Sequence, residues 1–231
     1  MSKEARIHKL LAASPVGEDI EKMSFETIDR ETSGHGFTRE QWEVVRRVIH
    51  TTGDISISGA VRFSKNAIVA GISALSTGEP IYVDTNMCRS GLSTGRLRKV
   101  SETYQPADIH CFIADEDVAR TATTRKLPRS VVAATKAKSL LTAGGIALFG
   151  NAPTGLLELN RLIIEEDVKP SLVIGAPVGF VNVIESKTEL TSLDVPHIIL
   201  EGRRGGSPIA VAILHALCTL AAGRKEKEET S

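Results

Sequence analysis

Arg47 and His50 stand three residues apart in "EVVRRVIHTTGD", a spacing that brings two side chains out on one face of a helix while Arg46 points elsewhere. A guanidinium that holds an anionic group and an imidazole one turn away that gives or takes a proton form a clamp-and-acid pair. A histidine in the last turn before a glycine is equally a solvated helix end. Position alone leaves both readings open.

Three loops carry a second kind of signal. "GNAPTGLLEL", "GAPVGFVN" and "EGRRGGSPIAV" each follow a short apolar run and lead into a helical pattern. Glycine lets a backbone approach closely, and a helix start offers free N–H groups and a positive dipole end, so these are expected anion-binding turns, although tight turns need Gly and Pro for geometry alone. Thr154 is placed to cap the helix of the first loop, and Arg203 and Arg204 could grip a carboxylate in the third. No GxGxxG, GxxxxGK[ST] or GxSxG stretch occurs, which leaves a nicotinamide oxidoreductase, a P-loop enzyme and a serine hydrolase without their fingerprints. The six histidines show no HxH, HxxxH or HExxH spacing, so no protein metal site is expected. Cys88, Cys111 and Cys218 are odd in number and far apart, and read as small buried hydrophobes in a reducing compartment.

The elements that must position these residues alternate along the chain. After a polar arm of about residues 1–17, "GEDIEKMSFETIDRET" spaces Ile20, Met23, Ser24, Phe25 and Ile28 along one helix face. "TREQWEVVRRVIHTTG" opens on the capping-box pair Thr38 and Gln41, buries Trp42, Val45 and Ile49, and stops at Gly53, which places His50 in the last turn. "DISISG" alternates as a strand, "VRFSKNAIVAGISALSTGE" reads as a helix, and "PIYVDTNM" as a strand running into a polar loop. Strands "IHCFI" (109–113), "IALFG", "SLVIG" and "HIILEG" then alternate with helices as far as "PIAVAILHALCTLAA", and a charged tail of about residues 223–231 is expected to fray. The rhythm predicts βαβ crossovers, a mostly parallel sheet covered on both faces, and ligands beyond the carboxyl ends of its strands.

Composition agrees with one α/β domain over 1–231. Of 231 residues, 42% are hydrophobic, enough for a sizeable core. Lys+Arg and Asp+Glu both number 28, so no basic excess points to nucleic acid. The apolar runs are broken by Gly or Pro short of a ~20-residue membrane span, and "MSKEARIHKLLAASP" lacks a signal-peptide core. A cytoplasmic protein is expected.

Seven segments in order, "MSFETI", "RVIHTTGD", "VDTNM", "PRSVVAA", "GNAPTGLLEL", "GAPVGFVN" and "GRRGGSPIAVAILHAL", resemble the precorrin-8X (cobalt-precorrin-8) methylmutases of corrin biosynthesis over nearly the whole chain. The resemblance implies a three-layer α/β/α Rossmann-like domain with a mostly parallel sheet, assembled as a homodimer. It implies an isomerase that moves a methyl group from C11 to C12 of a tetrapyrrole substrate without a cofactor, any cobalt being carried by the substrate. The family's catalytic histidine falls on His50 and its substrate contacts on Ser24 and Arg47. Arg129 is carried over as a carboxylate contact, with Pro128 standing where the family has Thr ahead of Arg-Ser. A non-catalytic tetrapyrrole carrier on the same fold is the alternative.

Overall fold

A computed structural model describes residues 5–7 and 17–229. Most of the polar arm read at 1–17 lies outside the described residues. Six strands form one sheet in the order β1-β6-β5-β4-β2-β3: β1 Val61–Phe63, β2 Ile81–Val83, β3 Ile109–His110, β4 Ile146–Phe149, β5 Leu172–Gly175 and β6 His197–Leu200. All neighbouring pairs are parallel except edge strand β1, which runs antiparallel to β6 with Val61 opposite Leu200.

The central strands are short β-branched runs because both faces are buried. Ile81, Val83, Ile146, Leu148, Leu172, Ile174, Ile198 and Leu200 point into one core, and Tyr82, Ala147, Phe149, Val173 and Ile199 into the other, the period-two alternation of a pleated strand. The first core is covered by α2 (Arg39–Thr52), α3 (Ala67–Thr77), α4 (Asn86–Gly91), α5 (Thr94–Val100) and α11 (Ser207–Glu229). On the second lie α7 (Arg129–Lys136), α8 (Lys138–Thr142), α9 (Pro153–Glu166) and α10 (Val183–Thr191), with α6 (Glu116–Arg125) packed on α7. The expected three-layer α/β/α arrangement is what the chain adopts. Cys88, Cys111 and Cys218 are free and buried, and burial raises all three thiols, Cys88 to about 11 and Cys218 to about 12.

Several local expectations are corrected. "DISISG" is a 3-10 helix, Ile55–Ala60, because the Asp54 carboxylate accepts the Ser56 N–H at 2.9 Å and starts a turn. The strand begins at Val61, within the stretch read as helical. "IHCFI" contributes only Ile109 and His110, at the sheet edge. Of the apolar face read on α1 (Gly17–Glu31), only Ile28 is buried and Phe25 partly so, whereas Ile20 and Met23 are exposed. α1 packs chiefly on α2, and one helix covers only a narrow stripe of another. The described part of the charged C-terminal stretch is helical, continuing α11 to Glu229, with Arg224 paired to Glu40 of α2, and residues 230–231 lie outside the described residues. By length and apolar content α11 could cross a membrane, yet most of its apolar window is buried among α2–α5 and the sheet.

Candidate active site

The capping box at Thr38 and Gln41 opens α2, as read. Gly53 closes it in the left-handed region (φ 64°), its N–H bonded to Ile49 O, a backbone that glycine adopts without strain. His50 is therefore held on a defined last turn and remains exposed. Its Nδ1 lies 2.7 Å from Ser24 Oγ of α1, and the Phe25 ring meets the imidazole edge-on at 5.3 Å. Nε2 is the nitrogen left for a ligand.

Arg47, one turn earlier, is buried and donates from Nη1 to Glu21 Oε1 at 2.8 Å, while Arg96 of α5 approaches the same oxygen at 3.8 Å. Burial works against the Glu21 carboxylate, but the hydrogen bond and charge of Arg47, with Arg96 and His50 behind them, outweigh it and hold the group below its ordinary range. Arg46 does point elsewhere: it pairs with Asp29 and Glu43 and lies over Phe25. Trp42 Nε1 also donates to Asp29, at 2.7 Å. Polar contacts thus pin α1 to α2 on both sides of Phe25, and two of them, Glu21–Arg47 and Ser24–His50, converge on the Arg47–His50 face.

Arg47 and Thr51 line a cavity of about 320 Å3 together with Met87, Gly91, Ser207, Val211 and His215. His50, one turn beyond Arg47 on the same helix, is not among the lining residues. A neighbouring hollow of about 710 Å3 is bordered by Glu21, Ser93 and Arg96.

The Gly-rich loops do converge at the carboxyl edge of the sheet, but with an unexpected use of their N–H groups. Gly150 donates to Asp84 Oδ1 at 3.0 Å, and Asn151 and Ala152 to Oδ2 at 2.8 Å. The turn before α9 binds an anion, and that anion is the protein's own buried Asp84. Burial pushes this carboxyl up while the three N–H donors oppose it. Gly206 N–H bonds Ala176 O at 2.8 Å, and Ser207 Oγ meets Thr85 Oγ1 at 3.0 Å, tying the three loops together. Arg204 is taken by Asp54 and Ser56, so its half of the carboxylate grip is occupied within the chain, whereas Arg203 is exposed and lies over the exposed Phe180 ring. Thr154 does not cap α9: Ala152 is at the cap, and Thr154 Oγ1 bonds Ser130 Oγ at 2.7 Å.

Of the four residues read as a site, Ser24, Arg47 and His50 come together. Arg129 opens α7 in the opposite helical layer, exposed, with no hydrogen bond or ion pair to those three. Glu21, Asp84 and His215 were missed. Glu21 lies one turn before Ser24 and so shares its helix face, a spacing that could have marked it. His215 is a lone polar ring in an apolar helix, a weak signal. Among the described residues no group of three or more His, Cys, Asp or Glu could hold a metal ion.

A family model described as precorrin-8X methylmutase matches residues 19–220. The chain is 44% identical to the cobalt-precorrin-8 methylmutase of Leptospira interrogans, covering 92% of this chain and 97% of that protein. It is 36% identical to the precorrin-8X methylmutase of Pseudomonas aeruginosa, over 88% and 95% respectively. A crystal structure of precorrin-8X methylmutase from Thermus thermophilus superposes with a TM-score of 0.82 at 41% identity, covering 90% of this chain and 98% of that one.

Proposed function

The chain belongs to the precorrin-8X methylmutase family, isomerases of cobalamin biosynthesis, and we propose that it moves a methyl group from C11 to C12 of precorrin-8X or cobalt-precorrin-8, with His50 as proton donor or acceptor. The observation that carries this reading is the 2.7 Å contact between Ser24 Oγ and His50 Nδ1, beside a buried Arg47 one turn away. One ring nitrogen is fixed and the other faces outward.

The rearrangement is redox-neutral: the C11–methyl bond breaks, the C12–methyl bond forms, and no atom is gained or lost. The protein has to hold the macrocycle and set its tautomer. Nε2 of His50 gives a proton to, or takes one from, a ring position and so favours the tautomer from which the methyl migrates, a contribution typically worth ~10²–10⁴-fold. Arg47 holds an acidic side arm, and Ser24 keeps the imidazole in place and approaches the substrate at the same point. Arg129, exposed at the start of α7 beside the Ser130–Thr154 contact at the carboxyl edge, binds a further peripheral carboxylate. No cofactor is required, and cobalt, where present, arrives within the substrate. The enzyme works in the cytoplasm as a homodimer, a state that light scattering in solution tests directly.

His50→Ala separates this reading from a tetrapyrrole carrier. The variant is expected to bind the macrocycle and to lose the rearrangement by at least ~10²-fold, followed by the change in macrocycle absorbance. Conversion at the wild-type rate would remove His50 from the chemistry.

A further inference from the structure

α11 carries one imidazole within its buried apolar stretch. His215 lies between Leu214 and Ala216, both buried, and its Nε2 accepts the backbone N–H of Ser93 at 3.0 Å. A ring nitrogen that accepts carries no proton, so the neutral ring bears its hydrogen on Nδ1. Burial, then the charges of Arg96 on α5 and Arg47 on α2, push this histidine down to about 4, with Glu21 on α1 pulling weakly the other way. The Nδ1–H has no hydrogen-bond partner among the described residues, and the ring borders the same cavity as Arg47.

Two donors from two helices therefore serve one cavity whose remaining walls include Met87, Pro208 and Val211. At about 320 Å3 it sits at the lower end of the ~300–1,000 Å3 that enclose a drug-sized ligand. That volume suits one side arm of a tetrapyrrole and is too small for the whole macrocycle.

We propose that this cavity receives one acidic side arm of the macrocycle, and that His215 donates its Nδ1–H to an oxygen of that arm's carboxylate, which Arg47 also holds. His215 is then a positioning residue on the substrate, and it acts as a neutral donor that costs no charge burial. This assignment rests on the methylmutase reading above. A neutral N–H beside an arginine distinguishes a carboxylate, which accepts from both, from a cation, which neither tolerates.

Two substitutions divide the ring's functions. Glutamine reaches the Nε2 position and keeps an acceptor for Ser93, but lacks the donor at the δ position. Asparagine returns a donor at the δ position and gives up the Ser93 contact. His215→Gln is expected to raise KM for precorrin-8X, and Kd for hydrogenobyrinate in an absorbance titration, by about 5–10-fold, the loss of one hydrogen bond, with kcat changed by less than about threefold. His215→Asn is expected to lower Tm yet to recover most of that affinity. Any result in which His215→Asn binds no more tightly than His215→Gln overturns the proposal, because a ring that merely braces Ser93 gives the reverse order. Failure of the wild-type protein to bind or convert precorrin-8X is a separate outcome, and it would remove the methylmutase reading together with the inference built on it.

Discussion

Ser24 Oγ and His50 Nδ1 are 2.7 Å apart although 26 residues separate them in the chain. A hydroxyl both donates and accepts, so this partner suits either state of the ring: it donates to a bare Nδ1 and accepts from a protonated one. A carboxylate or carbonyl in its place would only accept and would hold the hydrogen on Nδ1. Serine lets the free nitrogen lose or gain a proton without breaking its support, which is what the proton role proposed for His50 requires.

Ser24→Ala removes that support while leaving His50 in place. We expect kcat to fall about 3–10-fold, the worth of one hydrogen bond, with little change in Tm, since the contact is solvent-exposed. An unchanged kcat by the absorbance assay would show that the contact does not orient the working ring.

Glu21→Gln breaks the charge partner of Arg47. The Glu21 carboxyl titrates below its ordinary value of 4.5, so the pair stabilises the fold above that value, and the stabilisation is lost as pH falls through the depressed folded value. At pH 7 the variant should be less stable by about 1–2 kcal/mol, and the gap between the two melting curves should close in strong acid. A gap that stays constant down to pH 2 contradicts the ion-pair account.

Gly150→Ala tests the close approach of the loops. A Cβ there would lie 2.6 Å from Ser207 Cα and 2.8 Å from its N, backbone atoms that cannot step aside. A Tm drop of about 4–8 °C is expected, together with weaker substrate binding, because Ser207 lines the cavity. Gly59→Ala, where an added Cβ meets nothing within 4 Å, should change Tm by less than about 2 °C. Equal melting of the two variants would discount the packing argument.

Much of the fold was legible because strands buried on both faces must be short, β-branched and bounded by turn residues. β4, β5 and β6 are such runs, each read within a residue or two of its observed ends, whereas "PIYVDTNM" yields only the strand Ile81–Val83 before the helix that starts at Asn86. "DISISG" misled because the same alternation suits a 3-10 turn once Asp54 caps it. The face expected on α1 failed because periodicity marks apolar residues without stating how much of them a neighbour will cover. Ile20 and Met23 stay exposed for that reason.

The sequence by itself determined that Arg47 and His50 share a helix face one turn apart, since 3.6 residues per turn fixes neighbours on a single helix, and its ordered motifs identified the family. Only the tertiary structure decided what surrounds that pair. Ser24 reaches His50 across 26 residues, Asp84 takes the loop N–H groups across as many as 68, and His215 meets Ser93 across 122. No local period encodes such meetings. They follow from how α1, α11 and the strand-end loops pack against one sheet, where each buried donor and acceptor must find a partner on a different element.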